Sequence, residues 1–252
     1  MIAVITGASA GLGKEFARQV CREFPEIDTF WLIARRVGKL EELAEELKDK
    51  KVKCIGMDLC RSRSYKELAE LLQKEHPNVG LLINNAGSGM LGNLGEVSND
   101  SQMRMIDLNV RAATMVTNTV LPYMKKGSHI ISVSSIASFC PTPRMTVYSA
   151  SKSYISAFTG GLAEELKPKG ITATAVCPGP MRTEFLDVAG IADHNSRPFE
   201  TLPYCDPVKV VAGTLKAAKR GRTFYTPGAF YKFYRFVAKL LPMKLMIKAT
   251  KT

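Results

Sequence analysis

Apolar and polar positions along the chain switch between two rhythms. Ile2–Ile5 is a short β-branched run that ends in a glycine-rich turn, and a helical stretch follows from about Gly13 to Phe24. Thr29–Ile33 reads as a second strand. Lys39–Lys50 carries apolar residues at Leu40, Leu43, Ala44 and Leu47, which is helical spacing. Val52–Met57 and Gly80–Ile83 read as strands three and four, with a helix at Tyr65–Lys74 between them. A long helical pattern covers about Asp100–Met124, with Ser98 as its N-cap. His129–Ser134 is a fifth strand, 146–167 a helix ended by Pro168 and Gly170, and Ile171–Val176 a sixth strand. This β-α alternation predicts an α/β fold, a doubly wound parallel sheet with helices on both faces. Met181–Tyr204 reads as irregular, a substrate-covering loop over the ligand crevice.

A chain of 252 residues suits one such domain and needs no staples to form a core. Six scattered cysteines, none in a C-x-x-C pair, read as reduced thiols. His76, His129 and His194 show no metal-ligand spacing, so no metal is expected. The apolar start runs straight into Thr6-Gly7 without a charged leader, and a cytoplasmic location is expected. The net charge of +12 is uneven: residues 207–252 hold eleven Lys or Arg and no acid, and 1–206 are close to neutral.

Candidate chemistry sits where strands end. Gly7, Ser9, Gly11, Leu12 and Gly13 lie in TGASAGLG between the first strand and helix. Glycines there let backbone approach a pyrophosphate, and the helix N-terminus offers free N–H groups. The spacing is G-x-x-x-G-x-G and not the G-x-G-x-x-G fingerprint, so a ligand-free tight turn remains an alternative. The second strand ends in Arg35-Arg36, where an NAD site would carry an acid for the ribose 2′-hydroxyl. Arginine suits a 2′-phosphate, Arg35 being the better placed, so NADP(H) is favoured over NAD(H). Asp58 ends the third strand, where it can meet an adenine amine. Asn84-Asn85-Ala86-Gly87 ends the fourth.

Tyr148 and Lys152, four apart on a helix, share a face. A neighbouring ammonium stabilises phenolate and is expected to lower the tyrosine pKa, making it a general acid near neutral pH. Ser135, at the end of the fifth strand, can hold a substrate oxygen beside the phenol. In its order and spacing the set TGASAGLG, NNAG, Asn109 in DLNV, Ser135 in SVSS, YSASK at 148–152 and PGPMRT at 178–183 resembles the short-chain dehydrogenase/reductase family over about residues 1–190. The resemblance implies a single-domain Rossmann-like fold and hydride transfer between NADP(H) and a ketone, aldehyde or secondary alcohol. It implies that Tyr148 moves the proton and that Lys152 tunes it and binds ribose. Ser135 would orient the substrate, and Asn109 would hold a relay water. Pro178, Gly179 and Thr183 would seat the carboxamide, while Asn85, Ala86 and Gly87 support the adenosine side. It further implies a homodimer or homotetramer. One departure stands out: NADPH-preferring members often carry a base just before the second glycine, and here that residue is Ala10, with Lys14 a helper at most. A bulky apolar, steroid- or lipid-like substrate is favoured by Met90, Leu91, Phe139, Phe185 and Leu186 near the expected site. A cofactor-sensing binding protein is the alternative function.

In the basic C-terminal extension, 205–252, Phe230, Phe233, Tyr234, Val237, Leu240 and Leu241 fall on one side of a helix over 230–241, opposite Lys232, Arg235 and Lys239. Two readings stay open. The apolar side packs on the domain or a second subunit, or 229–252 lies on an anionic membrane surface. No nucleic-acid-binding module is recognisable, and no nucleic-acid partner is expected.

Overall fold

The alternation of side chains across each strand decides which helices cover which face. The structure is a computed structural model that describes residues 1–191 and 196–250. His194 and part of the expected crevice loop therefore lie outside the described residues, as do residues 251–252. The strands are β1 (Ile2–Thr6), β2 (Thr29–Ala34), β3 (Lys51–Gly56), β4 (Val79–Asn84), β5 (Met124–Val133), β6 (Thr172–Val176) and β7 (Phe224–Tyr225). They form one parallel sheet in the order β3-β2-β1-β4-β5-β6-β7. Ala3 and Ile5, then Phe30 and Leu32, face one core layer, while Val4, Trp31 and Ile33 face the other.

The helices are α1 (Gly11–Glu23), α2 (Val37–Glu46), α3 (Ser62–Glu75), α4 (Asn99–Ile106), α5 (Ala112–Val120) and α6 (Thr146–Leu166). Then come α7 (Glu184–Val188), α8 (Arg197–Thr201), α9 (Pro207–Lys219), α10 (Ala229–Leu240) and α11 (Met243–Ala249). Phe16 and Val20 of α1, Leu40 and Leu43 of α2, and Val211 and Leu215 of α9 bury one face of the sheet. Leu68 and Leu72 of α3, Val116 of α5 and Leu162 of α6 bury the other. Chain order reverses between β1 and β4, which opens a crevice at their carboxyl ends.

Several elements differ from the sequence pattern. The predicted 100–124 helix is capped by Ser98, whose hydroxyl accepts from the Ser101 N–H at 3.3 Å. It is broken by a π-helical turn at Asp107–Arg111 and stops at Val120, just before Pro122. Helix α2 stops at Glu46, short of the expected Lys50. The segment 181–204 is not wholly irregular, because α7 and α8 lie in it. Residues 207–225 are structural: Asp206 caps α9 by accepting from the Val208 N–H, and β7 extends the sheet.

The face of α10 also differs from the expected one. Tyr231 and Ala238 are buried, Tyr234 and Arg235 are half-buried, and Phe233, Phe236 and Leu240 are exposed. Arg235 faces the protein because two rings receive its guanidinium, Phe224 at 4.6 Å and Phe139 at 5.7 Å. Tyr231 is drawn in by its hydroxyl, which donates to the Pro203 carbonyl at 2.6 Å. No helix among the described residues is long and apolar enough to cross a membrane.

Arg235→Ala should cost about 1 kcal/mol by removing this ring contact. In a thermal melt the midpoint should fall by roughly 2–4 °C, whereas Lys232→Ala on the exposed side should leave it unchanged.

Candidate active site

The site begins with a backbone approach that only glycine permits. A Cβ on Gly13 would lie 2.2 Å from the Gly7 carbonyl oxygen, and one on Gly7, at φ +66°, would lie 2.8 Å from Ala86 Cα. Asn85 ties this turn to β4, its Nδ2 donating to the carbonyls of Thr6 at 3.1 Å and Gly7 at 3.0 Å. Thr6 Oγ1 in turn accepts from the N–H groups of Asn85 and Ala86. Gly11, at φ +52°, is less crowded, the nearest atom to an added Cβ being Thr183 Cβ at an ordinary contact distance of 3.7 Å. Helix α1 starts there with no side-chain cap and no acid in its first turn. Its leading N–H groups thus face the cleft without a side-chain acceptor, a donor set that fits a pyrophosphate.

Arg35 and Arg36 flank the cleft beyond β2. Arg36 reaches across it, donating to Glu184 of α7 at 2.8 Å and to Ser9 Oγ at 3.3 Å. Arg35 donates to no described residue. Lys14, expected as a helper, is turned away in an ion pair with Glu46 at 2.8 Å. Asp58 accepts from the Cys60 N–H at 3.2 Å. Partial burial works to raise its carboxyl, but that N–H and the charges of Arg104 and Arg35 hold it below its usual value.

At the far end Ser135, Tyr148 and Lys152 meet. Ser135 closes β5 and accepts from the Ala137 N–H at 3.1 Å. Tyr148 is 8% exposed and Lys152 5%. Lys152 Nζ donates to the Val133 carbonyl at 2.8 Å and stands 5.7 Å from the Tyr148 ring centre. Burial pushes the phenol up to about 12, against a side-chain hydrogen bond from Ser135 that pulls it down. Burial likewise lowers the Lys152 ammonium to about 8. The expected lowering of the tyrosine is therefore reversed in this structure, since loss of water outweighs the hydrogen bond from Ser135. Asn109 lies in the π turn, whose wide bond runs from the Ala112 N–H to the Asp107 carbonyl. Its Nδ2 donates to Ser88 O and Ser151 Oγ, both at 2.9 Å, and its Oδ1 accepts from the Ser88 N–H. Gly87 leaves room for both groups, its added Cβ lying 3.1 Å from Asn109 Oδ1 and 3.3 Å from Lys152 Nζ.

All of these converge on one cleft of about 1110 Å³. Every residue expected from the sequence to be catalytic or to bind the cofactor lines it except Gly13 and Asn109, which stand behind the wall, and the helper Lys14. Pro178, Gly179 and Thr183 line it, the first two buried and Thr183 partly exposed. Gly179 is pressed by the Tyr231 ring, 2.3 Å from an added Cβ, so a glycine there also seats α10. Met90, Phe185 and Leu186 line the cleft as expected, Phe185 lying 5.6 Å ring to ring from Tyr148. Leu91 and Phe139 do not, and Phe139 packs on Tyr234 instead. The Arg36–Glu184 pair was not singled out from the sequence, nor were Tyr231 and Met246, which join Tyr234 and Val237 in one wall of the cleft. The pair spans 148 positions, and no local pattern reports it.

A family model described as short chain dehydrogenase matches residues 1–191. An oxidoreductase of Staphylococcus saprophyticus is 31% identical over 187 residues, covering 72% of this chain and 79% of the relative. A short-chain dehydrogenase from Sphingobium yanoikuyae, solved in complex with NADPH, superposes with a TM-score of 0.80 at 26% identity, covering 96% of each chain. A bulky-bulky ketone specific alcohol dehydrogenase from Comamonas testosteroni superposes at 0.77 and 26% identity, covering 94% of this chain and 90% of that one.

The buried ammonium has a stability signature. Between about pH 8 and 10.5 the unfolded chain keeps a proton on Lys152 that the folded chain has lost, so folding is favoured as pH rises through that window. In urea titrations of the cofactor-free protein, wild type should gain up to roughly 3 kcal/mol over Lys152→Met across the window. A constant difference between the two would contradict a depressed lysine.

Proposed function

The chain belongs to the short-chain dehydrogenase/reductase family of oxidoreductases, and from that membership we propose that it is an NADPH-preferring reductase of bulky apolar ketones or aldehydes. The observation that carries the reading is the buried Ser135–Tyr148–Lys152 group in the same cleft as a glycine-lined helix N-terminus.

The nicotinamide, when bound, supplies or accepts the hydride. Ser135 holds the substrate oxygen beside the Tyr148 hydroxyl. The neutral phenol gives its proton to that oxygen as negative charge develops, and takes it back in the oxidative direction. Lys152, charged at neutral pH, stabilises the phenolate left behind and offers N–H donors to ribose hydroxyls. Asn109 keeps the floor of the site in register through Ser88 and Ser151, and the π turn is where a water can link Lys152 to solvent. Pro178, Gly179 and Thr183 seat the carboxamide. Arg35 takes the 2′-phosphate, and Arg36 joins it if Glu184 gives way.

The apolar wall of Met90, Phe185, Leu186 and α10 supports a bulky substrate, as does the likeness to a ketone-specific dehydrogenase at 26% identity. The cleft volume exceeds the roughly 300–1,000 Å³ usual for one small molecule, which suits a dinucleotide beside a second ligand.

NADPH oxidation across a panel of ketones of graded bulk tests this. Tyr148→Phe should lower turnover about 10²–10⁴-fold with NADPH affinity kept. Arg35→Ala should lower kcat/KM for NADPH by about 10–100-fold, the loss of a charged hydrogen-bond pair, and leave NADH unchanged. Tight NADPH binding with no turnover of any carbonyl would favour the sensing role instead.

A further inference from the structure

Seven of the seventeen large apolar side chains that are exposed among the described residues fall between positions 230 and 245. Such clustering marks an interaction site, whereas scattered exposed apolar residues need no explanation. On α10, Phe233, Phe236 and Leu240 are 66%, 60% and 66% exposed and share one side. Met243 and Leu245 continue the patch onto α11. Lys232, Lys239, Lys244 and Lys248 stand around it, all exposed, and residues 207–252 contain no acid. Phe230 and Leu241 belong both to the patch and to the wall of the catalytic cleft, so the apolar surface runs without a break into the cleft.

We propose that α10 and α11 seat the enzyme on an anionic lipid surface. The Phe233–Phe236–Leu240 side enters the headgroup boundary, the lysines meet lipid phosphates, and the cleft opens toward the bilayer. The charge pattern selects this partner. Aromatic and leucine side chains bordered by lysine suit the interface of an anionic membrane, where each cation near the surface adds to binding. A second copy seated face to face would set the lysines of α10 and α11 against each other, and neither helix carries an acid. The opening adds a substrate class that rests on the reductase reading: an apolar carbonyl compound drawn from the lipid phase. The membrane seat itself does not depend on that reading.

The test uses the full chain and vesicles of phosphatidylcholine alone or mixed with phosphatidylglycerol. The protein should sediment with the mixed vesicles at low salt, release at high salt, and stay in solution with phosphatidylcholine alone. A Phe233→Gln/Phe236→Gln/Leu240→Gln variant should partition at least tenfold less while keeping its melting temperature and its turnover of a small water-soluble ketone. Lys232→Gln and Lys239→Gln should each lower partitioning about fivefold. Wild type remaining in the supernatant with mixed vesicles, or the triple variant binding as well as wild type, would overturn the membrane seat. So would light scattering that shows a dimer split by the triple variant, which would give the face to a second copy. None of these outcomes bears on Tyr148→Phe, so this proposal and the reductase reading fail separately.

Discussion

Gly13 lies so near the Gly7 carbonyl that a methyl group would sit 2.2 Å from the oxygen. That contact brings the N-terminus of α1 down onto the end of β1, and Asn85 bonds the same turn to the end of β4. These are the two strands between which the chain order reverses. The place where the sheet must open is therefore also where backbone N–H groups are freed and held rigid. Arg35 at the end of β2 and Ser135 at the end of β5 inherit their positions from strands registered against this pair. A side chain at position 13 would strain the cofactor end directly and shift the platform on which the chemical end is built.

The chemical end is costly to build. Burying an ammonium is unfavourable, and its lowered pKa measures the cost. Among the described residues Lys152 Nζ donates only to the Val133 carbonyl, and Tyr148 is dry enough to hold its proton well above the usual phenol range. A phenol and an ammonium both held away from water, with pKa values pushed in opposite directions by burial, mark this end of the cleft as a candidate acid–base site. The surrounding hydroxyls fix the helix that carries both groups. Ser134 donates to the Lys152 carbonyl, Ser151 to that of Tyr148, and Asn109 donates to Ser151.

Much of this was legible because the relevant patterns are local. Strands buried on both faces read as continuous Val, Ile and Leu runs, and glycine turns, the Y-x-x-x-K pair and strand-end residues are spaced along the sequence itself. What escaped depends on distant partners. Lys14 is claimed by Glu46, and Arg36 by Glu184. The π turn at Asn109 leaves no mark on the periodicity. Which side of α10 meets the domain cannot be read from hydrophobicity, which groups Phe233 and Leu240 with Tyr234 and Val237. Rings at positions 139 and 224 instead draw Arg235 inward, and Pro203 takes the Tyr231 hydroxyl. Helix α9 carried its start signal in Asp206-Pro207, but the charge imbalance drew it into a tail that begins, structurally, only at Ala229.

The Arg36–Glu184 bridge bears on how the cleft is entered. Both side chains are about half exposed, at 49% and 56%, and exposed pairs contribute roughly 0–1 kcal/mol. The bridge nonetheless joins the lip after β2 to α7, which carries Phe185 of the apolar wall, so adenosine and substrate ends are mechanically connected. A phosphate dianion beside Arg35 would compete with Glu184 for Arg36 and repel the carboxylate. A cofactor lacking that phosphate would leave the bridge closed. The contact is weak enough to be displaced, so a charge beside Arg35 can act on α7 through a rearrangement that costs little.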